Sequence, residues 1–151
     1  MSKQAILSHI KRDAWISISM EFDDVPCLFL HRDPIPADDE IDGYEHLLRV
    51  VWTYAEEGSG ALPDDGEETD MQEFDDRLCA AWEADGLAIL VAVLTFDGAR
   101  QWVFYTPSPA ECGNRLEAMP QEDEPYPIVL DANEDPDWSY LHDTLLENFS
   151  E

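Results

Sequence analysis

The residues of this chain that most resemble a chemical site are its closely spaced carboxylates. Such carboxylates could bind calcium. The stretch DDEIDGYEHLLR fills the first, third, fifth and sixth places of an EF-hand-like loop with Asp38, Glu40, Asp42 and Gly43. Arg49 occupies the twelfth place, where such a loop needs a bidentate glutamate. The segment DANEDPDWSYLH also fails, because Pro136 replaces the turning glycine and His142 ends it. We therefore predict no dedicated metal site and only weak, adventitious cation binding.

Other kinds of catalytic site are not supported by the residue types and spacings. None of the four histidines has a Cys or His partner at zinc-ligand spacing: His9, His31, His46 and His142. The chain also has no phosphate-binding loop, no GxSxG motif and no dinucleotide fingerprint. The carboxylates within residues 67–76 fall mostly on a solvated helix face, which does not separate the pKa values of an acid–base pair. We expect no catalytic residue and no cofactor.

The stretch ARQWVFYT is rich in aromatic residues, which in some proteins stack nucleic-acid bases. RNA-recognition strands place a basic residue and a glycine before alternating aromatics, and that spacing is absent here. Strand alternation puts Trp102 and Phe104 on one face, with Val103 and Tyr105 on the other. We interpret this strand as the wall of a core, covered on its second face by an N-terminal hairpin or a terminal helix.

The charge of the chain is strongly negative, with 35 acidic residues against 8 basic ones and a formal net charge of −27. Such a field repels phosphate backbones and anionic lipid surfaces, and it attracts cationic partners. We therefore expect a basic protein partner, no direct nucleic-acid binding and no membrane association. Solubility, or adaptation to a salty cytoplasm, is an alternative explanation of the acidity.

The length and the cysteines indicate one domain in the cytoplasm. A chain of 151 residues fits a single domain. No apolar run approaches the ~20 residues that span a bilayer, and no signal-peptide pattern follows the basic residues at the start of the chain. Three cysteines without a CxxC pair favour reduced thiols: Cys27, Cys79 and Cys112.

Hydrophobic periodicity and turn residues predict the elements of the first half of the chain. In order they are a hairpin, a loop, an interior strand, a second loop and a helix, over residues 14–31, 32–43, 44–54, 56–66 and 67–84. The helix is indicated by an apolar stripe at three- and four-residue steps: Met71, Phe74, Leu78, Ala81 and Trp82. Gly86 lies just past its end, as a C-terminal cap does.

The second half begins with a hairpin around Asp97 and Gly98, since both positions of its tight turn favour a positive φ. Ser108 and Pro109 start a second helix that ends near residues 119–120. After the acidic loop QEDEP, the run YPIVL predicts a short strand. A last helix over residues 136–148 would carry one apolar face: Trp138, Leu141, Leu145 and Phe149.

From residue 44 onward the predicted order is strand, helix, strand, strand, helix, strand. This is the split βαβ, ferredoxin-like arrangement, an antiparallel four-stranded sheet with both helices on one face. We therefore predict a single α+β domain over residues 1–151. It would consist of an N-terminal β-hairpin and loop, a ferredoxin-like core and a C-terminal helix, over residues 1–43, 44–131 and 132–151.

Structural aromatics and turn residues recur through most of the chain: Trp15, Leu62-Pro63, the strands VAVLT and RQWVFY, and Asp135-Pro136-Asp137-Trp138 with Tyr140. In these features the chain resembles a bacterial family known as domain of unknown function 695, which implies a fold and assigns no chemistry. The C-terminal half is also similar, in strand order and acidity, to the B-type regulator of ribonuclease E activity. That resemblance implies a protein inhibitor that binds its enzyme. Neither resemblance assigns a functional residue.

We expect a non-enzymatic regulator or immunity-type inhibitor that binds a basic protein, such as a nucleic-acid enzyme or a toxin. The predicted contact surface lies within residues 38–45 and 56–76, with ten candidate residues: Asp38, Asp39, Glu40, Asp42, Glu56, Glu57, Asp64, Asp65, Glu67 and Glu68. The alternative is a small-ligand-binding protein or enzyme with a pocket between the hairpin and the sheet. Its candidate lining residues are Trp15, Arg100, Trp102, Tyr105 and Trp138.

Overall fold

A computed structural model gives the fold of most of the chain. The structure describes residues 2–22, 25–33, 36, 41, 43–55, 63–118 and 128–146. The described elements are, in order, α1 (Ser2–Arg12), β1 (Trp15–Phe22), β2 (Val25–Arg32), β3 (His46–Thr53), α2 (Asp65–Trp82), β4 (Ile89–Phe96), β5 (Ala99–Thr106), α3 (Pro109–Ala118), β6 (Ile128–Glu134) and a π-helical segment, Tyr140–Leu146, here called the π-segment. No helix in these ranges is long and apolar enough to cross a membrane.

The strands form one six-stranded sheet in the order β1-β2-β4-β5-β3-β6. Every neighbouring pair is antiparallel. The predicted α+β class is therefore confirmed. The N-terminal hairpin is also present, but β2 pairs with β4, so that the hairpin extends the sheet sideways. The prediction that it could lie over the aromatic strand is wrong, because its backbone hydrogen bonds hold it in the plane of the sheet.

The turn between β4 and β5 has the conformation that its sequence predicts. Asp97 and Gly98 have φ values of 49° and 89°, the pair of positive values that a two-residue type I′ hairpin requires. The turn brings two apolar strands together in the middle of the sheet. Trp102 and Phe104 face one side, and Val103 and Tyr105 face the other, as alternation predicts.

The predicted first helix is present as α2. Asp64 caps it by accepting a hydrogen bond from the Glu67 amide over 2.8 Å, and the helix begins at Asp65, two residues before the predicted start. Its apolar stripe is fully buried at four positions: Met71, Phe74, Leu78 and Trp82. Beyond the helix, Gly86 has a φ of 77°, the left-handed conformation that glycine adopts without strain.

The sheet is covered on both faces. On one face, α2 and α3 pack on the core that contains Trp102 and Phe104, and the Trp82 indole donates to the Cys112 carbonyl over 3.0 Å. On the other face, α1 and the π-segment supply the apolar side chains that cover Val103 and Tyr105: Ile6, Leu141 and Leu145. The aromatic strand is therefore the wall of two cores.

Two elements at the ends of the chain differ from the sequence prediction. The helix α1 was not predicted, although Ile6 is fully buried and Ile10 packs against the same core. The predicted helix over residues 136–148 is instead a π-helical turn that begins at Tyr140. Trp138 precedes it with a φ of 57°, so the chain turns there and the helix cannot start at residue 136.

Several predictions fall wholly or partly on residues outside the described ranges. They are most of the loops over 32–43 and 56–66, the end of the second helix at 119–120, the acidic loop after it, and Phe149. Within the described part of these segments, β2 continues to Arg32, so the loop begins one residue later than predicted. The last strand, β6, extends beyond the predicted YPIVL as far as Glu134.

We expect Leu78→Ala to lower the free energy of unfolding by about 2–5 kcal/mol, because truncation leaves a cavity between α2 and the sheet. Leu78 is fully buried. Val129→Ala on β6 is the matched control, since Val129 is 68% exposed and its loss should cost no more than about 0.5 kcal/mol. Urea unfolding followed by tryptophan fluorescence measures both values. Equal losses in the two variants would contradict the packing of α2.

Candidate functional site

A groove of about 720 Å³ lies on the face of the sheet that carries α2 and α3. The covered core on this face draws on β3, β4, β5 and the two helices. The hairpin β1–β2 continues the sheet beyond this core. The groove therefore runs between α2 and the hairpin, where the sheet is wider than its helical cover.

The floor of the groove is mainly apolar. Leu28 and Leu30 from β2 lie beside Val93 from β4, and Ser17 from β1 completes the outer side. Strand alternation explains this placement, since Phe29, between the two leucines, points into the opposite core and is fully buried. Leu28 and Leu30 remain half-buried. The floor thus offers apolar surface that a partner could cover.

One side of α2 forms an acidic wall along the groove. The wall residues lie on one side of the helix, beside the buried stripe: Glu68, Gln72, Asp75, Asp76, Cys79 and Glu83. At 1.5 Å per residue, the fifteen steps from Glu68 to Glu83 span about 22 Å. The wall is therefore an extended surface and does not converge on a single point.

A buried ion pair closes the groove at the C-terminal end of α2. Arg32 and Glu83 lie 3.2 Å apart, with side chains only 3% and 12% exposed. Arg32 also donates to the carbonyls of Leu90 and His9, each over 2.9 Å, and its guanidinium lies 4.5 Å from the centre of the Trp15 ring. These contacts join β2, α1, α2 and β4 at one point.

The protonation of this pair is governed by burial. Loss of water around Glu83 raises the pKa of its carboxyl, although the Leu90 amide and Arg32 both oppose the shift. Burial likewise lowers the pKa of Arg32, and the charge of Glu83 opposes that change. The opposite charges of the two groups therefore partly offset the cost of their burial.

A second cation holds the other end of the wall. Arg100 binds both carboxylate oxygens of Glu68, over 2.8 and 3.0 Å, and donates to the Thr95 hydroxyl over 2.8 Å. This bidentate pair fixes the first turns of α2 to the central hairpin. Each end of the wall thus carries an arginine.

The middle of the wall is different, because its carboxylates accept hydrogen bonds from neutral groups. Asp75 accepts from the Trp102 indole over 3.1 Å and from the Cys79 thiol over 3.3 Å. Asp76 accepts from the Gln72 amide over 3.2 Å. Neutral donors leave the two negative charges in place. The unbalanced charge of the wall therefore lies above the apolar floor, between the two arginines.

The five candidate pocket residues do not meet in one place. Trp15 and Arg100 line the groove, and Trp102 lies beneath α2, where it touches the wall through Asp75. Tyr105 and Trp138 stack on the opposite face, with ring centres 4.2 Å apart. In the part of the chain that the structure describes, the hairpin is part of the sheet, so the groove lies on one face of both and not between them.

The ten acidic residues predicted to contact a partner also do not form one group. Glu68 lines the groove, Asp64 caps α2 and Asp65 lies exposed in its first turn. Glu67 is half-buried in the same turn, and burial raises the pKa of its carboxyl. The other six candidates lie outside the described residues: Asp38, Asp39, Glu40, Asp42, Glu56 and Glu57.

Sequence reasoning missed the part of the groove that the hairpin supplies. The sequence pattern places Leu28 and Leu30 on a strand and Glu83 at the end of a helix, and it does not show that these residues share a groove. A signal for the wall was present, since residues 68, 72, 76, 79 and 83 repeat at helical spacing beside the apolar stripe. The floor had no such signal, because it depends on the long-range pairing of β2 with β4.

Metal and thiol chemistry find little support in the described residues. No group of three or more His, Cys, Asp or Glu side chains is placed there to hold a metal. Asp131 instead pairs with Arg49, and Asp135 accepts from the Tyr105 hydroxyl over 2.7 Å. The three cysteines are free. Burial raises the pKa of Cys79, the thiol nearest the groove, which makes it a poor nucleophile.

The fold and the groove define an acidic α+β protein with an open, apolar-floored groove. The chain belongs to the family described as family of unknown function (DUF695), whose model matches residues 13–146. The resemblance to this family is thereby confirmed. No curated protein and no solved structure matches the chain significantly. The resemblance to the B-type regulator of ribonuclease E activity gains no support.

We expect Glu83→Ala to lower the free energy of unfolding by about 3–5 kcal/mol, because it leaves the charge of Arg32 buried without its partner. Asp85→Ala, two residues further on, is the control. Asp85 pairs with Arg115 at the surface, where its side chain is 55% exposed, and its loss should cost at most about 1 kcal/mol. Urea unfolding measures both variants. A loss for Glu83→Ala no larger than the control would contradict a structural role for the buried pair.

Proposed function

We propose that this protein is a non-enzymatic regulator or immunity-type inhibitor that binds a basic protein partner in the groove beside α2. One observation carries the proposal. The carboxylates of Asp75 and Asp76, whose hydrogen bonds come from neutral groups, lie above an apolar floor that is only half-buried. A surface of this kind matches a partner that presents basic and apolar side chains together.

The two parts of the groove would act at different stages of binding. The negative field of the chain, with its formal charge of −27, accelerates encounter with a cationic surface. Leu28, Leu30 and Trp15 would then stabilise the complex, because covering apolar and aromatic side chains supplies most of the affinity of an interface. Nucleic acids are disfavoured as partners, because the same field repels their phosphates.

The alternative function, a small-ligand-binding protein or enzyme, is favoured by the volume of the groove. About 720 Å³ lies within the ~300–1,000 Å³ typical of ligand pockets. Such a ligand would be cationic with an apolar portion. The protein partner is the better fit, because the wall follows α2 for four turns and its arginines are already bound to Glu68 and Glu83.

We also propose that residues of β3 through β6, with α2 and α3, form a ferredoxin-like unit. The order β4-β5-β3-β6 within the sheet supports this assignment, as does the core that α2 and α3 share on one face. We place the protein in the cytoplasm, where free cysteines such as Cys79 stay reduced.

We expect Asp76→Lys to slow association with the partner by about fivefold to tenfold at low salt, because a positive charge replaces a negative one in the groove. Asp70→Lys is the matched control, since Asp70 is also exposed on α2 but does not line the groove. The partner is first captured from native lysate and purified. Association rates are then measured by surface plasmon resonance at low and high salt.

The difference between the two variants should shrink at high salt, because mobile ions screen the groove. Equal slowing by Asp70→Lys and Asp76→Lys would place the contact elsewhere on the acidic surface. Association that ignores both ionic strength and the two substitutions would refute the electrostatic mechanism.

A further inference from the structure

We infer that the groove receives a basic, amphipathic α-helix of the partner, lying on β1 and β2 alongside α2. The inference rests on the proposed function and specifies the form of the partner segment. On this face the helices α2 and α3 cover the central strands, while the hairpin has no described helix above it. The groove is thus the position of a third helix in the same layer.

The exposure of the hairpin side chains supports this position. On the face toward the groove, Ser17 and Ser19 are exposed and Leu28 and Leu30 are half-buried. On the opposite face, Phe29 of β2 is fully buried, while Ile16 of β1 is 39% exposed. The strand β2 is therefore well covered on one side and incompletely covered on the other, as expected if a partner supplies the missing layer.

The dimensions of the groove suit a helix. Two strands spaced about 4.8 Å apart present a strip roughly 10 Å wide, and an α-helix with its side chains is about 10 Å across. The wall from Glu68 to Glu83 is about 22 Å long, which corresponds to a helix of roughly 15 residues. A segment of that length can follow the whole wall and cover Leu28 and Leu30 beside it.

The charges of the groove specify which faces the helix must present. Lysine or arginine residues at steps of three or four would face Asp75 and Asp76, and leucine-like residues on the adjacent face would cover Leu28 and Leu30. The protein itself places this combination at one end of the groove, where Ile10 and Lys11 of α1 form part of the lining.

Addition of an extended strand to the edge of β1 is the competing mode of binding. A strand added there would lie in the plane of the sheet, about 4.8 Å further from α2 than β1 itself. It would leave the floor open and would not approach Asp75 or Asp76. The acidic wall and the apolar floor are used together only by a segment that lies in the groove.

The test uses two synthetic peptides of about 16 residues with the same Leu, Ala and Lys composition. One arranges Leu and Lys at helical spacing, and the other alternates them with the period of a strand. The protein variants are Ser17→Tyr, which fills the groove from its floor, and Ile16→Tyr, at an exposed position on the opposite face of β1. Ser17 lines the groove and Ile16 does not.

The helical peptide should bind wild-type protein more tightly than the alternating peptide and should gain helical circular dichroism on binding. Ser17→Tyr should weaken this binding about tenfold or more by steric overlap, while Ile16→Tyr should change it less than about twofold. Titration calorimetry at physiological salt gives the affinities. Thermal unfolding of both variants checks that the hairpin is intact.

Tighter binding of the alternating peptide, with new protection of β1 amides from hydrogen exchange, would overturn the helix in favour of strand addition. Equal binding of both peptides, or binding that Ser17→Tyr and Ile16→Tyr affect alike, would overturn the groove as the site of the helix. The proposed function survives either result if Asp76→Lys still slows the partner more than Asp70→Lys. It fails separately if those two variants behave alike.

Discussion

The structure depends on a sheet whose central strands are apolar on both faces. Trp102 and Phe104 on one side, and Val103 and Tyr105 on the other, are all fully buried. Burial of large apolar side chains is the main favourable term in folding, so neither face can be left to water. The covering helices follow from this constraint, with α2 and α3 on one face and α1 with the π-segment on the other.

The groove arises where this double cover is incomplete. The hairpin adds two strands to the edge of the sheet, and its Phe29 is fully buried on the face of α1. On the face of α2, the same strand leaves Leu28 and Leu30 half-buried. Exposed apolar patches tend to mark interaction sites. The partly exposed leucines beside the acidic helix α2 therefore indicate a surface that binds a partner.

Local sequence signals predict much of the fold, and the remaining features depend on long-range strand pairing. The stripe of α2 and the turn at Asp97 could be predicted because neighbouring residues determine both. The position of the hairpin could not, because only β4, some sixty residues away, decides whether it lies in the sheet. The residues of the candidate pocket were wrongly grouped for the same reason. No local pattern shows that Trp15 and Trp138 lie on opposite faces of the sheet.

The two arginines at the ends of the groove explain how α2 is held in place while the middle of its acidic wall keeps a negative charge. Arg32 and Arg100 pair with Glu83 and Glu68, and through these pairs they fix both ends of α2 against the sheet. A buried pair contributes little net stability compared with apolar packing, but it defines one arrangement of its neighbours. Fixed ends hold the wall in place before any partner arrives, which lowers the entropic cost of binding. Because both arginines are held at the ends, the charge between them remains available for recognition.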